Sequence, residues 1–135
     1  MSTPYQNNNK RTFILPFPPS INQYWRHIPM KTKSCTIVRS MLSARARSFR
    51  NGALAAIKQQ TPTPRPDLID YPVRVTLEYH PKTARKYDVD NFSKGVLDAL
   101  THARIWDDDY LVNELILIKG KKKPPGSVVV TIERL

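Results

Sequence analysis

VRVTLEYHPKTARKYDVDNFSKGVLDALTHARIWDDD, residues Val73 to Asp109, is the stretch from which the fold can be read. Val73, Val75, Leu77 and Tyr79 alternate with Arg74, Thr76, Glu78 and His80, the period of two that a strand with one buried face requires. Past the loop Pro81 to Lys86 the period lengthens. Phe92, Val96, Ala99, Leu100 and Ala103 recur at spacings of three and four, which predicts a helix starting near Asp90 or Asn91, either a suitable N-cap. His102 and Arg104 suit its C-terminal end electrostatically.

Downstream, Leu111 to Lys119 and Ser127 to Arg134 both read as strands. GKKKPPG between them has the composition of a turn, so the two are expected to pair as a hairpin, with Lys119, Lys121, Lys122 and Lys123 gathered near its tip. Upstream, four prolines between Thr61 and Pro72 make a connector. Before it, Leu42, Ala46, Phe49, Ala53 and Ile57 predict one long helix from about Thr36 to Gln60, with Arg39, Arg47 and Arg50 along an edge of its apolar arc.

Phe13, Leu15 and Phe17 mark a short strand from Thr12 to Phe17, which Pro16, Pro18 and Pro19 end or confine to a sheet edge. Ser20 to His27, SINQYWRH, reads as a loop. The polar start of the chain, with three consecutive asparagines, reads as a flexible tail over residues 1–11, ahead of one domain spanning 12–135. The order strand, helix, strand, helix, strand, strand implies an α+β fold: a small mixed sheet with helices packed on one face.

Composition narrows the partners. The net charge is +11, favouring an acidic partner such as nucleic acid. No apolar run is long enough to span a membrane and the first residues lack the apolar centre of a signal peptide, so a cytoplasmic protein with no membrane partner is expected. Cys35 is the only cysteine, which excludes an internal disulfide and a multi-cysteine zinc site.

Against this basic background, six of the 11 acidic residues fall between Asp88 and Asp109, beside only Lys94 and Arg104. Asp88 and Asp90 are two apart, so in extended chain their carboxylates point the same way and can meet one cation. Asp107, Asp108 and Asp109 follow a helix of roughly three turns, from which the chain could return one carboxylate to the same place. Hard divalent ions take such oxygen ligands and keep several waters. Lys94, one helical turn after Asp90, could steady a phosphate oxygen; it could equally be an exposed lysine paired with Asp98 or Asp90. The spacing does not fit an EF-hand, which needs a glycine and a distant glutamate at fixed places.

Around these acids lie groups that could hold a sugar-phosphate backbone. Asn22 and Gln23 can hydrogen-bond, Arg26 can meet a phosphate, and Tyr24 or Trp25 can stack on bases or pack into the core. Lys82, Arg85 and Lys86 stand on the loop just before the acids.

LPFPPSINQYWRH, DVDNFSKGVLDAL and WDDD together resemble the RusA-type Holliday junction resolvases, small endodeoxyribonucleases, over most of the chain from about Thr12. The resemblance implies that Asp88, Asp90 and Asp109 hold Mg2+, with Mn2+ a possible substitute. It makes Lys94 a catalytic cation and leaves Asp108 as the alternate third ligand. It implies a homodimer that binds four-way DNA junctions and nicks two opposing strands symmetrically, with no small-molecule cofactor. Two alternatives stay open: a non-catalytic DNA-binding protein whose aspartates are structural, and a metal-dependent nuclease with little junction preference.

Overall fold

The computed structural model describes residues 9–135, so the expected tail lies outside the described residues as far as Asn8. The first strand starts earlier than the apolar alternation suggested, because β1 (Lys10–Pro16) pairs over its whole length with β6 (Ser127–Arg134). Its Phe13 and Leu15 are buried, as the alternation requires.

β4 (Val73–His80) is the strand read from the period of two, with Val73, Val75, Leu77 and Tyr79 all fully buried. The four-stranded sheet runs β1-β6-β4-β5, with β5 formed by Val112–Lys119. β4 and β5 are parallel, joined across α3 (Ser93–His102), whereas β6 is antiparallel to both of its neighbours. The expected hairpin between the last two strands is therefore corrected: β4 lies between them. The GKKKPPG segment crosses the end of β4, where the amide of Gly120 donates to the Tyr79 carbonyl at 2.7 Å and that of Lys123 to the Pro81 carbonyl at 2.8 Å. Seven residues easily span the two strand spacings, about 10 Å, that this crossing needs.

The expected long helix is also corrected. α2 is Ala44–Gln60 only, and Thr36–Leu42 forms β3, which pairs with β2 (Trp25–Lys31) in a separate two-stranded ribbon. Ser43 divides the two, its hydroxyl capping α2 by accepting from the Ala46 amide at 3.0 Å. Arg39 thus sits on the ribbon, away from the helix edge it was expected to share with Arg47 and Arg50. Ala46, Phe49, Ala53 and Ile57 are buried as the helical spacing demands.

SINQYWRH is likewise not a loop. It holds a short helix, α1 (Ile21–Tyr24), and the first three residues of β2. α2 and α3 pack together, and with the inward residues of β1, β4 and β6 they enclose a single apolar core. The architecture is mixed α+β, with six strands in two sheets and three helices among the described residues. Among the described residues no helix is long and apolar enough to cross a membrane.

Candidate active site

The acidic segment is carried by two short turns, one before α3 and one after it. Asp88 precedes a 3-10 turn, Val89–Asn91, and α3 then begins at Ser93 with Phe92 as its flanking residue. Neither Asp90 nor Asn91 caps α3 as expected; Asp90 lies inside the turn and its side chain is exposed. The turn is fixed by an aromatic cluster. Phe92 packs edge-on against Phe17 and Tyr87 at centroid distances of 5.2 and 5.5 Å, and Tyr79 lies 6.0 Å away. Such edge contacts hold ring geometry as well as burying area.

Beside this cluster lies an open cleft of about 740 Å³ lined by Ser20, Gln23, Arg85, Lys86, Asp88 and Asn91, together with Lys119 from β5. Arg85 stacks its guanidinium over Phe17 and Phe92, and the Lys119 ammonium sits 4.9 Å from the Tyr87 ring. The cations are thereby held near Asp88 by the same rings that shape the turn.

The second turn is built by the end of α3. Arg104 is left-handed, with φ 62°, its amide donating to the Thr101 carbonyl and that of Ile105 to the Leu100 carbonyl. This paired pattern ends the helix and reverses the chain. Trp106, fully buried, anchors the return by donating its indole N–H to the Thr101 hydroxyl at 2.7 Å and by a parallel bridge to Ile69. Asp107 is left outside, paired with Arg104 at 3.0 Å where both are largely exposed. Asp108 accepts the Asp109 amide at 2.7 Å and so caps the 3-10 turn Asp109–Leu111.

Asp109 is half-buried, and its acid is raised from its ordinary value. Desolvation is the largest cause, followed by the hydrogen bond and charge of Asp108 and by the charge of Asp98; Lys94 opposes them. Asp109 thus lies within electrostatic reach of Asp98 and Lys94 on α3. Lys94 itself pairs with Asp98 at 3.3 Å, one of the two partners the sequence allowed it.

These donors suit a hard divalent ion in kind, being carboxylate oxygens with surplus negative charge at Asp109 that a cation would relieve. Among the described residues, however, no group of three or more His, Cys, Asp or Glu side chains is gathered to hold a metal ion. A magnesium-type ion needs fewer, since one or two carboxylates with waters and phosphate oxygens complete its shell.

The family described as Endodeoxyribonuclease RusA matches residues 16–133. The chain belongs to the RusA endodeoxyribonuclease family. Curated RusA proteins support the assignment across nearly the full length. The crossover junction endodeoxyribonuclease RusA of Escherichia coli K12 is 30% identical over 131 residues, covering 94% of this chain and 97% of that protein. Its namesake from Enterobacteria phage HK97 is 29% identical over 128 residues, with the same coverage.

Within this RusA-family chain the expected DNA-contacting residues separate. Arg85 and Lys86 join Asp88 at the cleft, while Asn22 on α1 and Arg26 on the ribbon are exposed but do not line it. Lys82 is exposed on the loop against Gly126. Tyr24 is corrected: only 2% exposed, it cannot stack on a base, and its hydroxyl donates to Asp98 at 2.6 Å. Sequence reasoning missed Ser20, Lys119 and Asp98 as neighbours of the acids. Only Asp98 left a trace, as a possible partner for Lys94.

Proposed function

We propose that this chain resolves Holliday junctions, cutting four-way DNA by paired symmetric nicks as a homodimer in the cytoplasm with Mg2+, or Mn2+ in its place. The observation that carries the reading is the cleft in which the Asp88 carboxylate stands among Arg85, Lys86 and Lys119, an acid set among cations as metal-dependent chemistry on a phosphate backbone requires. The names of the relatives supply the substrate class.

In this reading the ion would be held by one or two carboxylates drawn from Asp88, Asp90 and Asp109, with waters and phosphate oxygens completing its shell, and when bound it supplies charge neutralisation at the scissile phosphate and a nucleophile at neutral pH. The chain's own groups do the rest. Arg85, Lys86 and Lys119 line the cleft beside Asp88 and favour a phosphate backbone there. Lys94 places its ammonium where negative charge develops on the phosphate oxygens. Twofold symmetry of the homodimer would set one such site against each of two related strands of a junction.

The test is Asp90→Asn protein on labelled four-way junctions with Mg2+. Retained binding with lost cleavage supports the reading; wild-type protein that binds and never cuts sinks it. Linear duplex at matched concentration measures junction preference, and sedimentation measures the dimer.

A further inference from the structure

Asp98 uses both carboxylate oxygens within the chain. Oδ2 accepts from the Tyr24 hydroxyl at 2.6 Å, and Oδ1 accepts from Lys94 Nζ at 3.3 Å. The same carboxylate contributes to the negative potential at Asp109. One side chain therefore touches the root of the ribbon, the lysine and the field of the acidic turn.

Two features distinguish this from an ordinary pair on a helix surface. Lys94 is the second residue of α3, where the positive end of the helix disfavours a cation, and lysine preceding an acid by four residues is the weaker order of such a pair. Helix stability alone does not call for a lysine there. The other feature is the cost of bringing Tyr24 in. Its ring lies so close over α3 that a Cβ at Gly95 would meet Tyr24 Cε1 at 3.3 Å and Phe49 Cδ2 and Cε2 at 3.6 Å. Tyr24 closes α1 and is almost wholly buried, and its peptide carbonyl accepts from the Ser43 amide at 3.0 Å, so its hydroxyl is held from several sides. Burial first, then the bond to Asp98, pushes the phenol up to about 12, so it stays protonated and donates at any working pH.

We propose that Asp98 is a positioning residue for Lys94: its carboxylate, oriented by the Tyr24 hydroxyl through the gap left by Gly95, holds the lysine ammonium beside the acidic turn at Asp109. A lysine carries several rotatable bonds, and fixing it before the substrate arrives removes the need to order it during the reaction. Asp98 touches neither substrate nor reacting atoms in this assignment. It acts through Lys94, and the inference rests on the reading of Lys94 as a group that stabilises the phosphate.

The test is a double-mutant cycle on four-way junctions, with binding, single-turnover cutting and thermal unfolding measured for each protein. Asp98→Asn is expected to leave junction binding and folding near wild type and to slow cutting on the order of 10- to 100-fold. Tyr24→Phe, which keeps the ring and removes only the donor, is expected to slow cutting less. In a Lys94→Ala background neither change should slow cutting further, because the group they position is gone. A readout free of activity is the 15N resonance of the Lys94 ammonium in metal-free protein, which should move in Asp98→Asn. If Lys94→Ala cuts at the wild-type rate, the reading of Lys94 in catalysis fails. If Lys94→Ala is slow and Asp98→Asn slows it further by its full single-mutant factor, or leaves the ammonium resonance unmoved, Asp98 does not position the lysine.

Discussion

Asp108 accepts the backbone N–H of Asp109 at 2.7 Å, and that bond divides the work of two adjacent, chemically identical residues. Asp108 gives an oxygen to the cap of the turn, whereas Asp109 is half-buried and its acid is raised, by desolvation first and then by Asp108 beside it.

The division can be measured. Asp108→Ser keeps a cap acceptor and is expected to cut junctions near the wild-type rate, whereas Asp108→Ala should lose about 1 kcal/mol of stability with the cap. Asp109→Asn is expected to bind junctions and cut them about 100-fold more slowly or worse. Cutting lost in Asp108→Ser and kept in Asp109→Asn would reverse the roles.

The raised acid of Asp109 makes a prediction about stability without metal. A carboxylic acid raised by the fold is harder to ionise folded than unfolded, so the folded state binds more protons and stability falls as pH rises from the ordinary aspartate value through the raised one. Once ionised in both states, Asp109 costs the fold. Asp109→Asn protein in EDTA should therefore melt higher than wild type at pH 7, with the gap narrowing as the pH approaches 4. Equal melting temperatures at pH 7 would contradict the shift.

Arg104 holds a left-handed conformation that glycine adopts without penalty. Arg104→Gly should relieve about 1 kcal/mol, partly offset by losing the exposed pair with Asp107, worth well under about 1 kcal/mol. Denaturant unfolding is expected to show a small net gain with cutting unchanged, since the helix stop that returns Asp109 is preserved. A destabilised Arg104→Gly would mean that the arginine contributes more than its conformation costs.

Gln60 guards the outer edge of the sheet. Its side-chain amide accepts from the Ile14 amide and donates to the Ile14 carbonyl, both at 2.8 Å, so one glutamine at the end of α2 pairs with β1 as a further strand would. Gln60→Ala should cost roughly 1 to 2 kcal/mol in urea unfolding. Faster hydrogen exchange at Ile14 should accompany it, and unchanged exchange there would refute the clasp.

Sequence alone settled those parts in which each residue's neighbours along the chain decide its environment. β4 and the interior of α3 are such parts, because period two and period 3.6 are written in consecutive residues; so is the acidic segment, because charge is a property of composition. Three things needed the folded chain. Thr36 to Leu42 continued the apolar spacing of α2 well enough to read as helix, and only pairing with Trp25 to Lys31 made it a strand. The last two strands look like neighbours because a turn joins them, yet β4 lies between, since the parallel link through α3 and the antiparallel fit of β6 to both β1 and β4 satisfy more backbone than a lone hairpin. Tyr24 could be read as stacking on bases or as packing into the core, since aromatics beside a basic residue occur in both settings, and only the space above Gly95 took it inside to Asp98. The sequence thus determined which residues carry charge and which faces are apolar; the tertiary structure decided which of them meet, because contacts between residues far apart in the chain depend on packing that local order does not record.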